Sequence, residues 1–268
     1  DNSYKGWQAS LALQFCHTPE KTLLHSAHHV GPLTVQRPFY PEGETCHLYL
    51  LHPPGGVVGG DTLDISVRLD AKSHTLITMP GASKFYRSSG PQARLSQHFY
   101  LDEGSTLEWL PQDTIIFPGA NAALRSVFHL KASSTLLAWE LYCLGRPVIN
   151  ETFSHGTLES RLEVWVEDEP RLIERQHLGD GDLTPVAGHP WIGTLLFYPA
   201  NEEHLDTVRA LLAPLGHFAG ATLTDELLSV RFLSHDNLIC QRVMRDIWQS
   251  LRPLLTTKTA CSPRIWQT

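Results

Sequence analysis

The sequence predicts a mainly β fold: a stacked-sheet architecture of many short strands, with about two α-helices near the C-terminus. Three observations carry this. Between residues 6 and 198, apolar and polar residues alternate in one short segment after another. Gly, Pro or Asp bounds those segments. After Asn201 the apolar spacing changes from two to the three-and-four step of a helix. No Ser/Gly/Pro-rich linker divides the two parts. One domain over 1–268 is expected, β-rich over 6–198, with an α-β-α segment over 201–255 packed on it.

In chain order, Trp7, Ala9, Leu11, Leu13 and Phe15 share one face of a first strand. A short apolar strand follows at 48–51. Residues 62–69 alternate cleanly, with Leu63, Ile65, Val67 and Leu69 turned inward. Further strands are read at 75–78, 95–101, 107–110, 123–130, 136–144 and 158–166, the last turning at Asp168-Glu169-Pro170 into 171–174. No fixed-period repeat demands a regular solenoid, so sandwich, barrel and helix-like stack all remain open. Asn201 then reads as an N-cap, with Glu202 and Glu203 at the positive helix end. Leu205, Val208, Leu211, Leu212 and Leu215 form its apolar stripe. A strand at 227–233 precedes a second helix, which starts near Asp236, buries Ile239, Val243, Ile247 and Leu251, and stops by Pro253.

Composition narrows the function. A net charge of −7 and no Lys/Arg run argue against a nucleic-acid binder. No apolar stretch is long enough to span a bilayer, and no signal peptide is read. A first residue of Asp1 implies a native start further upstream. The five cysteines are far apart with no C-x-x-C pair, which suits free thiols in a reducing cytosol better than disulfides or zinc. The 15 histidines form no local site, but some could converge in space on a metal.

The densest punctuation is His52-Pro53-Pro54-Gly55-Gly56-Val57-Val58-Gly59-Gly60-Asp61. Two prolines stop regular sheet pairing, and two Gly-Gly pairs permit positive φ and close backbone approach. A phosphate loop would need Lys-Ser/Thr and a helix after the last glycine. An anion and a strand stand there instead, so the run is read as tight turns in a β scaffold.

No nucleophile elbow, kinase motif or dinucleotide fingerprint is present. Ser83, Lys84, Tyr86 and Arg87 make the one segment that looks catalytic, the basis of an alternative reading as a hydrolytic enzyme of unknown class. On a strand, however, Ser83 and Lys84 point to opposite faces. The carboxylates Glu108, Glu140, Glu151 and Glu174 sit among apolar strand residues, and Asp61 and Asp64 open another strand. Outward-facing charge accounts for each one alone. As a set, they could line a wet internal passage or a partner surface for a divalent cation.

Several segments together resemble one family. They are Gly31-Pro32-Leu33-Thr34-Val35-Gln36-Arg37-Pro38-Phe39-Tyr40-Pro41-Glu42-Gly43, the 51–61 run, and Pro80-Gly81-Ala82-Ser83-Lys84-Phe85-Tyr86-Arg87-Ser88. Leu107-Glu108-Trp109-Leu110-Pro111-Gln112, Trp139-Glu140 through Leu144-Gly145-Arg146-Pro147, and Pro263-Arg264-Ile265-Trp266-Gln267-Thr268 complete the set. In type and order they are similar to the urease accessory protein UreD (UreH) family, over essentially the whole chain. Met79 in place of Thr is a minor departure.

The resemblance implies a mostly-β superhelical stack and a non-enzymatic cytoplasmic scaffold. Such a scaffold would act with UreF and the GTPase UreG on apo-urease, with UreE supplying nickel to UreG. It also implies transient nickel and an internal route for it. Residues assigned to such a route are Glu42, Asp61, Glu140 and Glu151, with His47 and His52 beside Cys46 as a second metal candidate.

Overall fold

Alternation along each strand turns one row of apolar side chains toward a shared interior, and two sheets close on that interior. The structure, a computed structural model, describes residues 6–52 and 56–267. In chain order the strands are β1 (Gln8–His17), β2 (Thr22–Val30), β3 (Thr34–Val35), β4 (Cys46–Leu51), β5 (Thr62–Leu69), β6 (His74–Thr78), β7 (Ser83–Phe85) and β8 (Ala93–Leu101). They continue as β9 (Thr106–Trp109), β10 (Thr114–Ile116), β11 (Asn121–Leu130), β12 (Thr135–Leu144), β13 (Thr157–Val166), β14 (Glu169–Gly179) and β15 (Trp191–Tyr198). Helix α1 (Glu202–Leu211), β16 (Ala219–Thr224), β17 (Leu227–Ser234) and α2 (Asn237–Thr256) follow.

One sheet has the order β14-β13-β11-β8-β5-β1-β2, the other β16-β17-β15-β12-β9-β6-β4-β3, with β7 and β10 paired beside β12. Each coil of chain gives one strand to each sheet and then climbs. Thus β1, β5, β8, β11 and β13 stack in parallel on one side, and β4, β6, β9 and β12 on the other. The result is a β-solenoid of about four turns. Its period escapes the eye because the coils differ in length: Gln8 pairs with Thr62, Thr62 with Arg94, Arg94 with Ala123 and Ala123 with Glu159.

Most predicted strands are present, with small shifts at their ends. Trp7 lies before β1 and is exposed, so it is not part of the inward face that Ala9, Leu11, Leu13 and Phe15 form. The turn expected at Asp168-Glu169-Pro170 falls instead at Glu167 and Asp168, both at positive φ, as a two-residue hairpin requires. Pro170 is tolerated in β14 because that strand is an edge. Strands β2, β3, β10, β15 and β16 are absent from the sequence reading. β2 is exposed along most of its length, so it carries no alternation to read.

The helices cover the far face of the ten-stranded sheet. Asn201 caps α1 through a reciprocal pair of hydrogen bonds with His204, and Asp236 caps α2 by accepting from Leu238 N and Ile239 N. α2 runs past Pro253 to Thr256, because a proline one turn from the end removes only one ladder bond. It buries Val243, Met244, Ile247, Trp248 and Leu251 against the sheet, about 1.5–3 kcal/mol for each fully buried large side chain.

Among these apolar residues lies Arg252, fully buried. Its Nε donates to Glu108 Oε1 at 2.9 Å, and its Nη2 donates to Glu108 Oε2 at 2.9 Å and to Glu42 Oε2 at 2.7 Å. His47 Nε2 meets Glu42 Oε2 at 2.6 Å, His74 Nε2 meets Glu108 Oε2 at 2.8 Å, and Trp248 Nε1 donates to Glu108 Oε1. The outward-facing reading therefore fails for Glu108, which is wholly buried on the helix side of the sheet. Burial raises the Glu42 carboxyl, but hydrogen bonds from Arg252 and His47 outweigh it and hold the group at about 2. Glu108 is likewise held below the ordinary carboxylate range, with burial overcome by His74 and Arg252.

The glycine-rich run is architecture over its described part, Gly56–Asp61; Pro53, Pro54 and Gly55 lie outside the described residues. Gly56 sits at φ +86 against Tyr86, where a Cβ would come within 2.4 Å of the ring. Val57 N donates to Lys84 O, and Tyr86 N donates to Val57 O, so the run pairs alongside β7. Asp61 closes it by accepting from Trp7 N at 2.8 Å and Val58 N at 2.9 Å.

Three outcomes follow from these contacts. Arg252→Ala leaves two buried carboxylates without their cation, so chemical denaturation should show a loss of about 3–5 kcal/mol. Asp61→Ala orphans two backbone donors and should lose about 1–3 kcal/mol in the same measurement. Glu42 stabilises the fold fully above the ordinary carboxylate value of 4.5. That contribution should disappear in an acid titration as pH falls toward about 2.

Candidate functional site

The interior between the sheets is apolar except at one level. On β8, Leu95, Phe99 and Leu101 face inward, and so does Gln97; on β11, Leu124 and Phe128 face inward with Ser126 between them. Opposite them, β12 turns Glu140 and Tyr142 toward the same space. Gln97 Nε2 donates to Ser126 Oγ at 3.0 Å, Ser126 Oγ donates to Glu140 Oε1 at 2.5 Å, and Tyr142 Oη donates to Glu140 Oε2 at 3.0 Å. Strand geometry forces this meeting, since residues two apart share a face. Desolvation raises the Glu140 carboxyl, and the two hydroxyl donors offset only part of it.

Three cavities adjoin at this level. A cleft of about 780 Å³ opens between β13–β14 and β15–β17, lined by Glu174, His177, His217 and Arg231, with Glu140 and Tyr142 on its wall. Three arginines line the same cleft, Arg161, Arg175 and Arg231, and Arg231 Nε donates to Glu174 Oε1 at 2.7 Å. A small inner cavity of about 20 Å³, room for about one water molecule, shares Glu140 and Tyr142 with the cleft. It also touches Gln97, Ser83 and His52. A third cavity of about 150 Å³ shares His52 and Ser83 with the inner one, and adds Gly56, Ala82, Lys84 and Tyr86. Glu140 and Tyr142 thus border both the cleft and the inner cavity, and His52 and Ser83 border both the inner cavity and the third.

His52 Nδ1 is buried with no hydrogen-bond partner among the described residues. Burial pushes its pKa down to about 4, so the imidazole is neutral at ordinary pH and can offer a lone pair.

Of the other residues singled out by sequence, Glu42 and His47 are tied into the Arg252 cluster, and Asp61 closes the glycine turn. Glu151 lies on the surface, where it accepts from Arg146 Nε at 2.6 Å. Among the described residues, no three His, Cys, Asp or Glu side chains converge as a metal site. Ser83 is buried while Lys84 is exposed, so this pair points apart and makes no dyad. Gln97, Ser126 and Tyr142 were missed, although a polar residue on the inward side of an alternating strand is a visible signal. All five cysteines are free thiols.

The model of the UreD urease accessory protein family matches residues 8–267. The chain belongs to the UreD family. It is 79% identical to a urease accessory protein UreD of Enterobacter sp. (strain 638), over 98% of this chain and 96% of the relative. It is 69% identical to the Klebsiella aerogenes UreD over 98% of each chain. Identity to a Pseudomonas putida (strain GB-1) UreD is 53%, over 98% of this chain and 95% of the relative. As a UreD-family member, the chain is a non-enzymatic accessory protein of urease maturation, the assembly of a nickel metallocentre. The hydrolase alternative is thereby set aside.

The raised Glu140 carboxyl has a stability consequence. A carboxyl whose folded pKa lies above its unfolded value favours the fold at low pH and loses that contribution as pH rises through the folded value. Glu140→Gln keeps the shape without the charge. In melting curves, its stability relative to the parent should therefore increase between pH 4 and pH 8.

Proposed function

We propose that this protein is a scaffold that carries nickel through its interior to apo-urease, in an assembly with UreF and the GTPase UreG. UreE is the indirect source of the metal. The observation that supports the reading is the three adjoining cavities, with Glu140 shared by the first two and His52 by the second and third. A carboxylate and a neutral imidazole are the donors that a borderline divalent cation accepts. Among the described residues neither position gathers three His, Cys, Asp or Glu ligands, which suits passage and opposes capture. The Ser126 and Tyr142 hydroxyls hold the Glu140 carboxylate in place as the cation arrives. His52 would then take over with its unpartnered Nδ1. Glu42, Asp61, Glu151 and His47 have structural partners already, and the route needs none of them. GTP hydrolysis belongs to the partner, consistent with the lack of a phosphate loop.

The test is urease activation in cells or extracts lacking the native protein. Glu140→Gln and His52→Ala should each lower activation about tenfold or more, while UreF still co-purifies in parental yield. Full activation by the double variant would sink the internal route.

A further inference from the structure

Sheets built mostly of parallel strands are usually covered on both faces. Here both α-helices pack on the other sheet, and the outer face of the seven-stranded one lies open. Register decides what that face carries. Arg125 on β11 pairs with Arg161 on β13, and Arg161 pairs with Arg175 on β14. Their strand neighbours Ser126, Leu162 and Glu174 face the interior, so alternation turns all three arginines outward. Arg161 and Arg175 also border the wide cleft, because β13 and β14 form its wall. Three guanidinium stems therefore stand on adjacent strands, about 4.8 Å apart at each step and about 9.6 Å from first to last.

Like charges directly opposite one another in a sheet are destabilising. Glu163 relieves part of that repulsion. It is only 2% exposed, although it belongs to the open face. Its Oε2 accepts from Arg125 Nε at 3.1 Å and Nη2 at 2.9 Å, and it meets Arg161 Nε at 2.9 Å. Its Oε1 accepts from Trp165 Nε1 at 3.2 Å. One carboxylate thus holds two guanidiniums in place without cancelling both. Arg175 has no ion pair among the described residues. In the next row, Ala123 lies between Arg94 and Glu159, so those two charges offset each other. The ladder keeps its excess of positive charge, in a chain whose net charge is −7.

The spacing says what fits. On a helix, residues at i, i+4 and i+7 share one face and span about 10.5 Å. On an extended peptide, three side chains of one face span about 13.6 Å. A helix laid across the strands matches the ladder to within about 1 Å, whereas a strand overshoots it by about 4 Å. The negative charge of the whole chain argues against a nucleic acid on this face.

We propose that the outer face of the seven-stranded sheet docks an acidic helix of a partner protein, whose carboxylates at i, i+4 and i+7 meet Arg125, Arg161 and Arg175. Guanidinium forks already braced by Glu163 lose little freedom on binding. The inference is independent of the internal nickel route and uses neither Glu140 nor His52.

The experiment is an anisotropy titration of the full chain with a labelled alanine-based helical peptide carrying Glu at i, i+4 and i+7. At low salt, Arg175→Glu should weaken binding about fivefold or more, and so should Arg161→Gln combined with Arg175→Gln. Arg175→Glu removes no partner from the fold, so its melting temperature should match the parent's. Arg37→Gln removes a charge from the exposed β3–β4 connection and should leave binding unchanged. A peptide of the same composition with Glu at i, i+2 and i+4 should bind at least about fivefold more weakly. Equal binding of the two peptides overturns the inference. So does undiminished binding by Arg175→Glu, or tighter binding of single-stranded DNA than of the helical peptide.

Discussion

Parallel, in-register stacking of successive coils is the constraint on which everything else depends. Once Leu11 lies beside Ile65, Ile65 beside Gln97 and Gln97 beside Ser126, the inward face of every later coil is set by the one before. A slip of one residue would turn all of these outward. The same register brings Glu140 opposite Ser126 and puts Glu108 on the helix side. Outside, it aligns Gln14, Arg68, Tyr100, His129 and Trp165 in a row across the solvent face, with the Tyr100 and His129 rings stacked 4.7 Å apart. Such ladders let a largely parallel sheet leave one face uncovered, where most parallel sheets are buried on both.

The molecule buries polar groups in two places, with opposite consequences. Around Arg252 nearly every donor finds a carboxylate, and Glu42 and Glu108 are held charged by an opposite charge in contact. That cluster is closed, and it ties the C-terminal helix to the β3–β4 connection and to β9. Around Glu140 no cation among the described residues pairs with the carboxylate, burial raises its pKa, and cavities lie on either side. A satisfied network is rigid. An unbalanced one, next to space, is where a mobile cation can be accommodated.

Much of the fold was legible. β5 reads directly from Leu63, Ile65, Val67 and Leu69, and the helix caps at Asn201 and Asp236 from their residue types. β2 was not legible, because an exposed edge strand has no inward face to impose alternation. Nor was the solenoid, because unequal coil lengths erase any sequence period. The candidate site was half legible. Glu140 and His52 could be named as ligand types, but so could Glu42, Asp61, Glu151 and His47. No local pattern separates a carboxylate facing a cavity from one facing an arginine more than two hundred positions away.

The glycine-rich run illustrates the same division. Its residue types exclude a phosphate loop, require tight turns and mark the family, all of which are properties of a few adjacent residues. That Asp61 closes the turn on Trp7 and Val58, and that His52 at its other end borders a cavity, depends on chain segments far apart in sequence. The sequence by itself determined the strand alternation, the helix ends and the family, because each is encoded over short windows or in ordered motifs. Only the tertiary structure decided which buried carboxylate is balanced and which is not, because charge balance depends on neighbours brought together by coil stacking and helix docking.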